Sequence, residues 1–161
     1  MPTLLGKYLK KLKSNRKSIS QLSGINYSRI IELCNIETTN PYAEDFFKII
    51  YIANNQAGLD ESNFNTAINE IFPNRIKANL LEDFQKLSPE ARFFKKYTQK
   101  QSDIEKKLGI ANGKISKFYG DNTKRALAIE IISFAEGMEL DVLTTFKEIY
   151  GEVEIKYDEE I

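Results

Sequence analysis

Two stretches, SGINYSRIIEL (23–33) and LGIANGKISKF (108–118), hold the residues of this chain whose types and spacing are best suited to chemistry. That chemistry is recognition. The sequence has no histidine, so it lacks the usual general base and the commonest metal ligand. Its single cysteine, Cys34, has no basic partner nearby in sequence and reads as a small apolar residue. No phosphate-cradling glycine loop and no metal-ligand spacing occur, so neither an enzyme nor a bound cofactor is expected. What the chain carries instead is cations in blocks. Residues 1–40 have a net charge of +5, 41–85 of −4, 86–125 of +7 and 126–161 of −8. A net charge of zero thus conceals two basic blocks, each a candidate footprint for a polyanion.

The two stretches are one pattern written twice. Gly24 and Gly109 are 85 residues apart, as are Ile25 and Ile110, and Ile30 and Ile115. In that register Leu9 matches Phe94, Leu12 matches Tyr97, Ile19 matches Ile104 and Leu33 matches Phe118. Downstream, KIIYIA (48–53) matches EIISFA (130–135) at an offset of 82, which places a deletion of three residues in a loop of the second copy.

Apolar residues recur every three or four positions in both copies, so each is a string of short helices. In the first copy Leu5, Tyr8, Leu9 and Leu12 mark one helix, and Ile19 and Leu22 a second that Gly24 stops. Asn26 can cap a third, Asn40 and Pro41 open a fourth, and Asp60 can cap a fifth. Ile76, Leu80 and Phe84 point to a helical linker, and Ser88 and Pro89 begin the second series. Its helices are expected near residues 101–107, 112–119, 122–136 and 141–150, with Gly137 stopping the fourth. The apolar faces of the fourth and fifth helices serve as core or as a dimer interface. EVEIKYDEEI (152–161) alternates briefly, as a short edge strand or a frayed acidic tail. The expected fold is all-α, with units at 1–72 and 88–151, a linker at 73–87 and a tail at 152–161.

A short helix, a Gly-Ile turn and a second helix with a branched residue six positions after the glycine make a helix-turn-helix. LGKYLKKLK, SISQLSGINYSRIIEL and NPYAEDFFKIIYIA, with QSDIEKKLGIANGKISKF and ALAIEIISFAEGM in the second copy, resemble the Cro and lambda-repressor type of helix-turn-helix DNA-binding proteins. The resemblance covers roughly residues 4–72 and 90–150. It implies two tandem five-helix lambda-repressor-like domains, double-stranded DNA as partner and a possible homodimer. The family's phosphate-gripping glutamine corresponds to Gln101, and to Arg16 in the first copy, a departure. Positions that face base edges correspond to Tyr27, Ser28 and Arg29, and to Asn112, Gly113 and Lys114. Arg29 stands out, because arginine pairs with guanine through two hydrogen bonds. The expected DNA-contacting set is Arg16, Lys17, Asn26, Tyr27, Ser28 and Arg29 in the first unit, and Gln101, Asn112, Lys114 and Lys117 in the second.

The functional expectation is a sequence-specific DNA-binding regulator whose two units grip adjacent major grooves about 34–36 Å apart. The alternative is a helix-turn-helix-derived interaction or antitoxin-like module with weak or no DNA specificity. No apolar run is long enough to cross a bilayer, and one unpaired cysteine fits a reducing cytoplasm.

Overall fold

A computed structural model describes residues 2–155, which form ten α-helices and no strand. In chain order these are α1 (Leu4–Lys11), α2 (Arg16–Ser23), α3 (Tyr27–Asn35), α4 (Ala43–Gln56), α5 (Asn63–Ile71), α6 (Pro89–Thr98), α7 (Gln101–Leu108), α8 (Lys114–Gly120), α9 (Ala128–Gly137) and α10 (Val142–Tyr150). The protein is therefore all-α. Local chemistry sets most of the ends. Asn15 caps α2 by accepting from the N–H groups of Lys17 and Ser18 at 3.0 and 3.1 Å. Ser88 caps α6 with Pro89 in the first turn, and Asp141 caps α10 through Thr144 N–H. Gly24 and Gly109 end α2 and α7 at φ 76° and 71°, the left-handed conformation expected of both.

The 85-residue register extends further than the sequence pattern showed. Leu4 and Pro89, Arg16 and Gln101, and Ala43 and Ala128 open equivalent helices at that spacing. The loops at 36–42 and 121–127 are equally long, so the expected three-residue deletion is not there. The shortening falls at the end of α9, which has 10 residues where α4 has 14, and in the turn that follows. The fourth helices also start later than expected, at Ala43 and Ala128 rather than at Pro41 and Asn122, because the residues before them pair with each other. Ala43 N–H donates to the Ala126 carbonyl at 2.8 Å, and Ala128 N–H donates to the Pro41 carbonyl at 2.9 Å. Tyr42 and Leu127 are the antiparallel pair between them. Each partner is the 85-residue equivalent of the other, so this pair is a two-fold contact within one chain.

One core serves both halves. Phe46, Phe47 and Phe64 from α4 and α5 meet Phe146 of α10 with ring centroids 6.2, 5.4 and 5.7 Å away. Ala128, Ile132 and Ala135 of α9 are buried in the same cluster. The apolar faces of the fourth and fifth helices, read as core or dimer interface, are thus spent inside the chain. A second, smaller cluster joins Leu80, Ile104, Leu108 and Met138.

The linker departs from expectation. It forms turns and one 3-10 turn at Glu82–Phe84 in place of an α-helix, and it is tied to α9: Leu80 N–H donates to the Gly137 carbonyl at 2.9 Å. Leu80 is fully buried, and Arg75 clamps the segment to α9 through two bonds to Glu136, 2.6 and 2.9 Å. Gly137 accordingly does not stop α9 in a left-handed turn. A Cβ there would lie 2.9 Å from Leu80 Cγ and 3.1 Å from the Ala78 carbonyl, so glycine is needed for close approach.

The docked linker changes the fate of α6. In the first half, α1 packs on α3 so closely that a Cβ on Gly6 would lie 2.2 Å from the Cys34 carbonyl oxygen. The equivalents of Leu5 and Gly6 are Glu90 and Ala91, which bar α6 from an equivalent seat. No residue of α6 is buried, and Phe94 and Tyr97 are 66% and 77% exposed, although their sequence matches, Leu9 and Leu12, lie in or against the core. Asp60 caps a turn rather than α5 itself, accepting from Ser62 N–H one residue before the helix. Of the expected tail, residues 152–155 have no regular structure, Val153 and Ile155 lie against the main core, and 156–161 lie outside the described residues.

Candidate nucleic-acid interface

In the first half the predicted residues gather at the start of two helices. Arg16 and Lys17 open α2, half-exposed and exposed. Gly24 then turns the chain, and Ser20 fixes the turn by donating to the Ile25 carbonyl at 2.5 Å. Ile30 is fully buried and anchors α3, so the opposite face at its N-terminus looks outward. Asn26 precedes the helix with its side chain making no capping bond, Tyr27 is 43% exposed and Ser28 is exposed. These groups can donate to and accept from a ligand without first breaking an internal bond.

Arg29 is held differently. Its guanidinium lies 3.3 Å from a Glu32 oxygen and 3.5 Å from the Asn40 carbonyl, and sits 5.9 Å from the Tyr42 ring centroid. Arg125 stacks on the same ring at 4.3 Å and pairs with Asp45 at 3.2 Å. Two guanidinium groups therefore flank Tyr42 at the two-fold contact. Contacts this long at a half-exposed site are weak, and a phosphate or guanine can displace them.

The second half arranges the equivalent positions to a different end. Here α8 begins at Lys114, two residues later than expected, because Gly113 takes φ 82° before it. Gln101 opens α7 exposed, Asn112 lies exposed in the turn, and Lys117 is exposed on α8. Lys114 is not free: its ammonium bonds Glu130 at 2.6 Å with both side chains largely buried. Glu105, buried where the first half has Ser20, accepts from Gly113 N–H at 3.0 Å and Ile115 N–H at 2.8 Å. These donors, from the start of α8, hold its carboxyl below the usual glutamate range. A carboxylate thus already occupies the end of α8 that would meet an anion.

Glu105 and Glu130 escaped the sequence reading. The one available signal for Glu105 was a carboxylate directly after Ile104, at the position of a small hydroxyl, Ser20, in the first copy. Glu105→Gln tests the role. The folded pKa is depressed, so the stabilisation is present above the ordinary glutamate value and is lost as pH falls through the folded one. The variant is expected to melt below the parent at pH 7, with the gap closing in acid; a gap independent of pH contradicts the assignment.

Cys34 is fully buried, and burial pushes its thiol pKa up, which agrees with the inert apolar reading. Among the described residues no helix is long and apolar enough to cross a membrane. Compared with protein families, characterised proteins and solved structures, the chain has no match.

Proposed function

We propose that the chain is a sequence-specific DNA-binding regulator built from two tandem lambda-repressor-like helix-turn-helix units. The observation that carries this reading is the outward start of α3, where Asn26, Tyr27 and Ser28 stand free beyond a left-handed Gly24, beside Arg16 and Lys17 at the start of α2. A helix so anchored fits the major groove, and cations at a neighbouring helix start fit phosphates. The first unit specifies sequence. The second contributes phosphate contacts through Gln101 and Lys117, its α8 start being neutralised by Glu105 and Glu130. Selection of bound duplexes from a random pool, followed by footprinting, tests this: one well-defined half-site beside a protected but degenerate one is expected, and no enrichment over random duplex refutes it.

Arg29 and Lys10, an exposed lysine of the first basic block in the last turn of α1, separate reading from holding. Arg29→Ala is expected to remove about 1–3 kcal/mol of discrimination at one base pair. Lys10→Ala is expected to weaken all duplexes alike and reduce the slope of log affinity against log salt by about 0.9. Equal losses on specific and random duplex remove Arg29 from the reading set. The second reading, an interaction module without DNA specificity, draws on the part-buried Lys114–Glu130 pair and the Glu105 cap, which take from the start of α8 the cation and the anion-accepting end that base reading needs.

A further inference from the structure

A groove of about 410 Å³ lies between the linker and α6, outside the surfaces assigned above. Leu81, Phe84, Pro89 and Phe93 line it with apolar surface, and Arg92, Lys96 and Glu139 with charge. In the first half the equivalent helix, α1, is seated in the core with Leu5, Tyr8 and Leu9 buried. In the second half Leu80 of the linker takes up the core position, and Glu90 and Ala91 keep α6 out. The aromatic face that would otherwise be core is left in solvent, Phe93 at 57% and Phe94 at 66% exposure. Phe93, Phe94 and Tyr97 pack edge to face on one another and form an exposed aromatic face on a ten-residue helix without a buried residue.

We infer that this groove docks a short acidic segment of a partner protein, with one bulky apolar side chain inserted between Phe84 and Phe93 and carboxylates against Arg92 and Lys96. Charge complementarity selects the occupant. Arg92 and Lys96, with Lys95 beside them over the Phe84 ring, attract an anion. The same lining favours a peptide over a polyphosphate. Gln85 offers an amide that pairs with peptide N–H and C=O groups, and Asn79, whose amide oxygen accepts from Leu81 N–H at 2.9 Å, keeps its NH2 for a peptide carbonyl, whereas Glu139 in the wall limits the anionic charge the groove takes to one or two carboxylates rather than a dense phosphate chain. The inference does not depend on the DNA-binding reading.

The test uses the full chain and a displayed library of random 12-residue peptides. Enriched peptides are expected to carry acidic residues around one Phe, Leu or Trp, and the synthesised winner to bind saturably. Phe93→Ala is expected to weaken it roughly tenfold or more, by loss of an anchor contact, and Lys96→Glu similarly. Both positions are exposed, so an unchanged Tm is expected and separates lost docking from lost folding. The proposal is overturned if no enriched peptide depends on Phe93. It is equally overturned if Phe93→Ala instead abolishes binding to an oligothymidine strand or to phosphatidylserine vesicles, which assigns the face to nucleic acid or membrane.

Discussion

Phe146→Ala is expected to cost about 3–5 kcal/mol, the range for a fully buried phenylalanine, and to lower Tm by about 6–20 °C in a chain of this size. Phe146 is wholly buried against Phe46, Phe47 and Phe64, three rings from the first half. Whole-domain stabilities are about 5–15 kcal/mol, so the variant stands near the edge of folding. The location of the loss matters as much as its size. With a shared core, a substitution in α10 raises amide exchange in α4 and α5 as well as in α9 and α10. Increased exchange confined to residues 88–151 shows that the halves fold independently and sinks the shared-core account.

Gly6→Ala is expected to be nearly as damaging for a different reason. The added carbon would sit 2.2 Å from the Cys34 carbonyl oxygen, with backbone on both sides and no flexible side chain to yield. Helix α1 must move off α3, and this breaks the bonds that Thr3 makes to the end of α3: its N–H to the Cys34 carbonyl at 2.8 Å and its hydroxyl to the Leu33 carbonyl at 2.6 Å. Overpacking of this kind costs about 1–3 kcal/mol, and the rigid neighbours place this case at the upper end. Ala91→Gly at the equivalent position meets nothing and is expected to cost no more than about 1 kcal/mol, the helix-propensity difference. Urea unfolding of both variants checks the pair; similar midpoints for the two contradict the asymmetry between α1 and α6.

The repeat, the helices and both left-handed turns were legible in the sequence, because glycine position and three-to-four spacing report backbone constraints directly. Three features were not. The linker presents Ile76, Leu80 and Phe84 at helical spacing, yet its backbone is held by Gly137 in an element far along the chain, and no local pattern records that. Phe94 and Tyr97 fell in register with core residues, but burial depends on whether the helix can be seated, which Glu90 and Ala91 prevent. Lys114 matched Arg29 in position and charge, but the ammonium is neutralised by Glu130, 16 residues later. A cation's availability is set by its neighbours in space, which spacing in sequence does not report.

The reciprocal pairing at Tyr42 and Leu127 has one more consequence. In a symmetric assembly of two identical chains, every mutation strikes twice, once on each side of the axis, so both flanks must tolerate it. Here a mutation strikes one flank only. Release from that doubling lets Glu105, Gly113 and the aromatic α6 diverge while α1, Gly24 and Tyr27 keep their own solution.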